Sequence, residues 1–172
     1  MIIVLLGYMG SGKSTLGRML AKKIDFKFLD LDAYIEQNEQ ATVAEVFNSK
    51  GEIYFRSIEA KAIKQLCNHS DSLVLALGGG TPCFGDTMAF LNEHPNVMTV
   101  YLKASVSELT QRLINEKSTR PLIAHLDAQA IPEFIAKHLF ERSFYYNQSK
   151  ISVNTDRQTI EANVEAIKSK LV

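Results

Sequence analysis

Residues 7–15 read Gly-Tyr-Met-Gly-Ser-Gly-Lys-Ser-Thr, directly after the apolar run Ile2 to Leu6 and directly before a stretch with helical spacing. This is the G-x-x-x-x-G-K-[ST] phosphate loop in the strand–loop–helix setting that gives it meaning. Its glycines let consecutive backbone N–H groups turn inward around a polyphosphate, and the helix that follows adds its positive end. The loop therefore predicts a nucleoside triphosphate held by Gly10, Ser11, Gly12, Lys13, Ser14 and Thr15. Lys13 reaches the β- and γ-phosphates, and the Ser14 hydroxyl is placed to ligate Mg²⁺.

A chain committed to that loop must be α/β, and the rest of the sequence agrees. Further apolar runs at Phe26–Leu31, Leu73–Leu77, Val97–Leu102 and Ile151–Val153 alternate with amphipathic stretches. Helical spacing joins Leu16, Met19, Leu20 and Ile24, then Phe55, Ile58, Ala62 and Leu66. It recurs through Ile131, Phe134, Ile135, His138 and Leu139, and over Ile160–Leu171. Such alternation predicts a five-stranded parallel sheet flanked by helices on both faces. At 172 residues and 46% hydrophobic content, one domain spanning 1–172 with a proper core is expected. Segments 33–67 and 117–130 look inserted into that frame. Ligands of such sheets gather beyond the carboxyl ends of the strands, where the motifs fall.

Charge narrows the function. The 19 basic residues balance 19 acidic ones, without the basic excess of a nucleic-acid binder. No apolar run approaches the roughly 20 residues of a membrane span. The N-terminus enters a strand at once, so a cytoplasmic protein without a leader is expected. Cys67 and Cys83 match neither zinc nor redox spacing and read as inert thiols. None of the four histidines (His69, His94, His125, His138) has metal-ligand spacing.

Two acids close the second strand candidate. If Phe26–Leu31 stays extended through residue 32, Asp30 and Asp32 point to one side, toward the phosphate loop. The third strand candidate runs into Gly78-Gly79-Gly80 with no acid, so Asp30 is the candidate carboxylate on the magnesium side. Asp32 is then placed to take a proton from an acceptor hydroxyl. The alternative for Asp32 is an N-cap for the helix that follows. Three consecutive glycines allow close backbone contact with a ligand. Arg142 continues the apolar stripe of His138 and Leu139, so it needs an anionic partner, either a buried acid or a ligand carboxylate. Arg56 lies one turn from Glu52 and Glu59, which leaves local ion pairing open. Arg120-Pro121-Leu122 has the character of a lid that closes over phosphates.

Taken in order, Gly7–Thr15, Asp30-Leu31-Asp32 with Ile35-Glu36, Phe55-Arg56-Ser57-Ile58-Glu59, Gly78-Gly79-Gly80, Arg120-Pro121-Leu122 and Arg142 with Tyr146 resemble the shikimate kinases across nearly the whole chain. The resemblance implies ATP- and Mg²⁺-dependent phosphorylation of the 3-hydroxyl of shikimate on the route to chorismate and the aromatic amino acids. It implies Lys13 on the ATP phosphates, with Ser14 and Asp30 on the metal side. It implies Asp32 as ligand of the shikimate hydroxyls and as base. Arg56 and Arg142 would clamp the shikimate carboxylate, and Gly79 and Gly80 would contact its ring hydroxyls. Arg120 would neutralise charge on the transferring group, and Arg112 would lie against the adenine. It further implies that 33–67 binds shikimate, that 117–130 holds the lid, and that the chain is a monomer. Leu77 and Asn147-Gln148-Ser149-Lys150 depart from the family pattern.

The rivals are a gluconate kinase or a nucleoside monophosphate kinase on the same fold, or a kinase-like binding protein without activity. Paired arginines suit a carboxylated acceptor rather than a nucleoside. A GTPase lacks support because neither D-x-x-G nor N-K-x-D stands in a suitable place.

Overall fold

The computed structural model describes residues 1–69, 72–117 and 121–171. Strands β1 (Ile2–Leu6), β2 (Lys27–Asp30), β3 (Leu73–Ala76), β4 (Val97–Lys103) and β5 (Ile151–Asn154) form one sheet. Its order is β2-β3-β1-β4-β5, and every neighbouring pair is parallel. The five strands match the five candidate runs. Inner strands β3, β1 and β4 are buried along almost their whole length because both faces are covered, while edge strand β2 has no fully buried position and edge strand β5 alternates buried and exposed residues. All five β1 side chains are 0% exposed, and their alternation divides the core. Ile2, Val4 and Leu6 pack with Leu31, Phe55, Leu109 and Ile135; Ile3 and Leu5 pack with Leu16, Leu20, Val164 and Ile167 on the other face.

The helices in chain order are α1 (Lys13–Ile24), α2 (Leu31–Glu39), α3 (Val43–His69), α4 (Thr87–Glu93), α5 (Val106–Asn115), α6 (Pro121–Ala124), α7 (Ile131–Tyr146) and α8 (Ile160–Ser169). A 3₁₀ turn covers Thr81–Cys83. α1 and α8 cover one face of the sheet, and α2, α3, α5 and α7 contribute to the other. α3 is two helices joined at Gly51, whose φ of 81° and ψ of 171° interrupt the helical path. Segment 33–67 therefore folds as most of α2 and α3, packed against one another. The loops leaving β1, β2 and β3 come together at one edge: residues 7–12, the turn at Asp30, and Gly78–Gly80.

Candidate active site

The phosphate loop begins where β1 ends. Gly10 and Gly12 adopt φ of 79° and 91°, values an L side chain rarely takes. Gly12 caps α1 without a side-chain acceptor, and the first turn of α1 carries no acid. Its orphan N–H groups and dipole thus favour an anion. Lys13 Nζ donates to the carbonyls of Gly7 and Tyr8, both at 2.9 Å, which keeps the ammonium over the loop. Ser14 Oγ donates to Asp30 Oδ2 at 2.7 Å, joining the start of α1 to the end of β2.

The two acids reach the site by a different route from the one their spacing suggests. β2 ends at Asp30, and Asp32 stands in the first turn of α2, so the two do not share one face of a strand. The physical reason is capping. Asp30 Oδ1 accepts from the N–H groups of Asp32 (3.1 Å) and Ala33 (3.4 Å), which starts the helix at Leu31. Asp30, rather than Asp32, is the N-cap. Both acids nevertheless line one cavity of ≈ 270 Å³ with Lys13, Ser14, Gly78 and Gly79. Burial foremost, and then the charges of Asp30 and Glu59, push the Asp32 carboxyl up to about 6, against the pull of Lys13. Asp32 is thereby tuned toward neutral pH, where a proton acceptor works best.

The triple glycine collects both arginines. A methyl group on Gly80 would stand 3.0 Å from Arg56 Nη2, and one on Gly79 would stand 3.5 Å from Arg142 Nη1. Arg56 pairs with Glu59 at 2.9 Å and approaches Glu52 at 3.6 Å, so the local pairing exists. Pairing and approach to the glycines hold together: buried Glu59 also accepts from Thr81 Oγ1, fixing Arg56 against the turn that follows Gly80. The Phe84 ring lies 3.9 Å from the Arg56 guanidinium carbon. Arg142 differs. Among the described residues no carboxylate lies within 4.0 Å of it, which disfavours the buried-acid alternative. Tyr146, one turn further along α7, is fully buried and donates its hydroxyl to the Gly79 carbonyl at 2.6 Å. Glu59 was visible in the sequence as a helical neighbour of Arg56 and as part of the Phe55–Glu59 motif but was given no role of its own, and Thr81 and Phe84 carried no signal.

A second cavity of ≈ 490 Å³ lies across the phosphate loop, lined by Ser11, Thr15, Arg112, Thr155 and Gln158 among others. Arg112 donates to the carbonyls of Gly10 (3.2 Å) and Thr155 (2.9 Å) and pairs with Glu108. This puts it beside the loop, as the nucleotide assignment requires. Arg120 lies outside the described residues, and with it the lid assignment at that position. Burial pushes both thiols up, Cys67 to about 11, in keeping with unreactive cysteines. Among the described residues no three His, Cys, Asp or Glu side chains cluster for a metal. The Ser14–Asp30 oxygen pair fits Mg²⁺ of the other kind, held by few protein oxygens and completed by phosphates and water.

The family model for shikimate kinase matches residues 9–172. The shikimate kinase of Flavobacterium johnsoniae is 47% identical over 165 residues, covering 96% of this chain and 95% of that one. The crystal structure of the shikimate kinase from Bacteroides thetaiotaomicron superposes with a TM-score of 0.91 at 36% identity, covering 99% of this chain and 97% of its own. That of Acinetobacter baumannii, in complex with shikimate, gives 0.85 at 30% identity over 99% of this chain and 92% of its own.

Proposed function

The chain belongs to the shikimate kinase family, and on that premise we propose how its residues divide the work of ATP-dependent phosphorylation of shikimate. The nucleotide lies on residues 10–15, with Lys13 on its β- and γ-phosphates and Arg112 on the adenine side. Ser14 and Asp30 hold Mg²⁺, which when bound neutralises phosphate charge. Arg56 and Arg142 take the shikimate carboxylate as a two-armed clamp, which fixes the ring with its 3-hydroxyl toward the phosphate loop. Gly79 and Gly80 let the ring approach the backbone. Asp32 accepts a hydrogen bond from the acceptor hydroxyl and takes its proton as the new O–P bond forms. Arg120 adds positive charge from the lid in 117–130, and residues 33–67 shape the acceptor pocket. The chain acts as a single kinase domain, a cytoplasmic monomer.

The observation that carries these assignments is the convergence on one triple glycine. Asp32, Arg56 and Arg142 come from α2, α3 and α7, yet all three border Gly78–Gly80 beside Lys13 and Ser14. Little covalent help is needed in phosphoryl transfer, so such positioning and charge placement supply most of the catalysis.

The test measures ADP release with ATP and Mg²⁺ while shikimate, gluconate or AMP is added in turn. Turnover with shikimate alone is expected. Arg142→Ala is expected to raise the shikimate KM by about 10- to 100-fold, the worth of a charge-assisted hydrogen bond. An unchanged KM in that variant would remove Arg142 from the acceptor site.

A further inference from the structure

Arg142 has a carrier inside the phosphate loop, at a position to which the G-x-x-x-x-G-K-[ST] pattern gives no side-chain role. Tyr8 is the second residue of the phosphate loop, and its side chain runs across to α7 rather than into the nucleotide site. Its ring is 1% exposed, so no substrate can touch it. The guanidinium carbon of Arg142 lies 5.5 Å from the ring centroid, within cation–π range. The hydroxyl at the far end of the ring lies 3.3 Å from His138 Nδ1. Phe134 packs on that imidazole at 4.2 Å between centroids. Phe134, His138 and Arg142 follow one another at single-turn spacing on α7, so Tyr8 is laced along one stripe of that helix. Burial pushes the Tyr8 phenol up to about 12, which keeps it neutral. The contrast with Arg56 is informative: Arg56 is aimed by Glu59, whereas Arg142 has no carboxylate beside it among the described residues.

We propose that Tyr8 is a positioning residue of Arg142, acting beside the Tyr146 hydroxyl, which also accepts a hydrogen bond from the guanidinium. Its ring, anchored by His138, holds the guanidinium beside Gly79 and so sets the affinity for the acceptor carboxylate. The inference rests on the assignment of Arg142 to that carboxylate. Because the Tyr8 carbonyl also receives Lys13, the same residue touches the phosphate side through its backbone and the acceptor side through its ring.

Steady-state kinetics with Tyr8→Leu, Tyr8→Phe, His138→Leu and Arg142→Ala test it. Tyr8→Leu is expected to raise the shikimate KM by about 3- to 30-fold, the range of a cation–π contact, with the ATP KM unchanged. Tyr8→Phe keeps the ring and restores most of the affinity. On an Arg142→Ala background, Tyr8→Leu adds nothing further, because the two act as one unit. Equal rises in both KM values, or additive losses in the double variant, would overturn the proposal. Should Tyr8→Leu fail to fold, His138→Leu decides. Loss of one partly buried hydrogen bond predicts a rise of about two- to tenfold in the shikimate KM alone, and no rise refutes the anchored ring. An unmoved KM in Arg142→Ala removes the acceptor assignment and this inference with it. A raised KM in that variant beside an unmoved one in Tyr8→Leu removes only the role of Tyr8.

Discussion

Replacing the proposed base should leave a slower enzyme that is also a more stable protein. Asp32 is pushed from 3.8 to about 6, chiefly by burial and by the neighbouring charges of Asp30 and Glu59. The fold therefore favours the protonated carboxyl, and above pH 6 it carries the charged form at a cost of up to about 3 kcal/mol. Asp32 faces a cavity and is not sealed from solvent, so about 1–3 kcal/mol is the working range. The sign follows from proton counting. Between pH 3.8 and about 6 the folded chain holds more proton at this site than the unfolded one. This contribution therefore favours folding at low pH, fades as pH rises through about 6, and is level above it. Asp32→Asn removes the charge. Its melting temperature at pH 7.5 should exceed that of the parent by about 2–4 °C per kcal/mol, roughly 2–12 °C in all. By pH 4.5 more than half of the gain should have gone, because the parent carboxyl is itself protonated there. Turnover should fall by about 10² or more while ATP still binds, and the parent kcat/KM should lose activity below about pH 6. Thermal melts by circular dichroism from pH 4.5 to 8, with ADP release measured in parallel, decide the matter. A variant no more stable at pH 7.5, or a gain of equal size at pH 4.5, would refute the electrostatic argument. Near-normal turnover would refute the base.

Two further substitutions probe the site from its glycine floor and from the nucleotide side. Gly78→Ala would place a methyl group 3.1 Å from Asp32 Oδ1 and 2.9 Å from Thr81 Oγ1. Both must shift, so turnover with shikimate should drop by about tenfold or more with ATP affinity kept; an unchanged kcat would show that Asp32 needs no such close floor. Arg112→Ala should raise the ATP KM about tenfold while leaving the shikimate KM alone, and a rise confined to shikimate would move Arg112 out of the nucleotide site.

Much of this was legible in the sequence because parallel strands leave an unmistakable mark. Ile2–Leu6 and Leu73–Ala76 have no polar position, since helices cover them on both faces, whereas edge strand β2 carries Lys27 and Asp30 and edge strand β5 alternates buried and exposed residues, so their marks are weaker. Asp30 and Asp32 were legible as a pair of site carboxylates, but not by the geometry that brings them there. Alternation predicts that two acids at i and i+2 share a strand face, and it cannot register that Asp30 ends the strand by capping a helix. The outcome coincides because a cap at the end of β2 and a side chain one position into α2 border the same cavity. The Gly51 interruption of α3 was hidden for the opposite reason: an isolated glycine in a helical pattern is compatible with an unbroken helix. Several of the least legible contacts end on main-chain carbonyls: Tyr146 on Gly79, Arg112 on Gly10 and Thr155, Lys13 on Gly7 and Tyr8. Every residue has a carbonyl, so an acceptor of this kind selects no residue type and leaves no trace in the acceptor's own position. Only the donor is written in the sequence, and a donor alone does not say where it points. Tyr8 combines both conditions, since its carbonyl serves Lys13 invisibly while its ring, read merely as one variable position of a nine-residue loop, reaches across to Arg142.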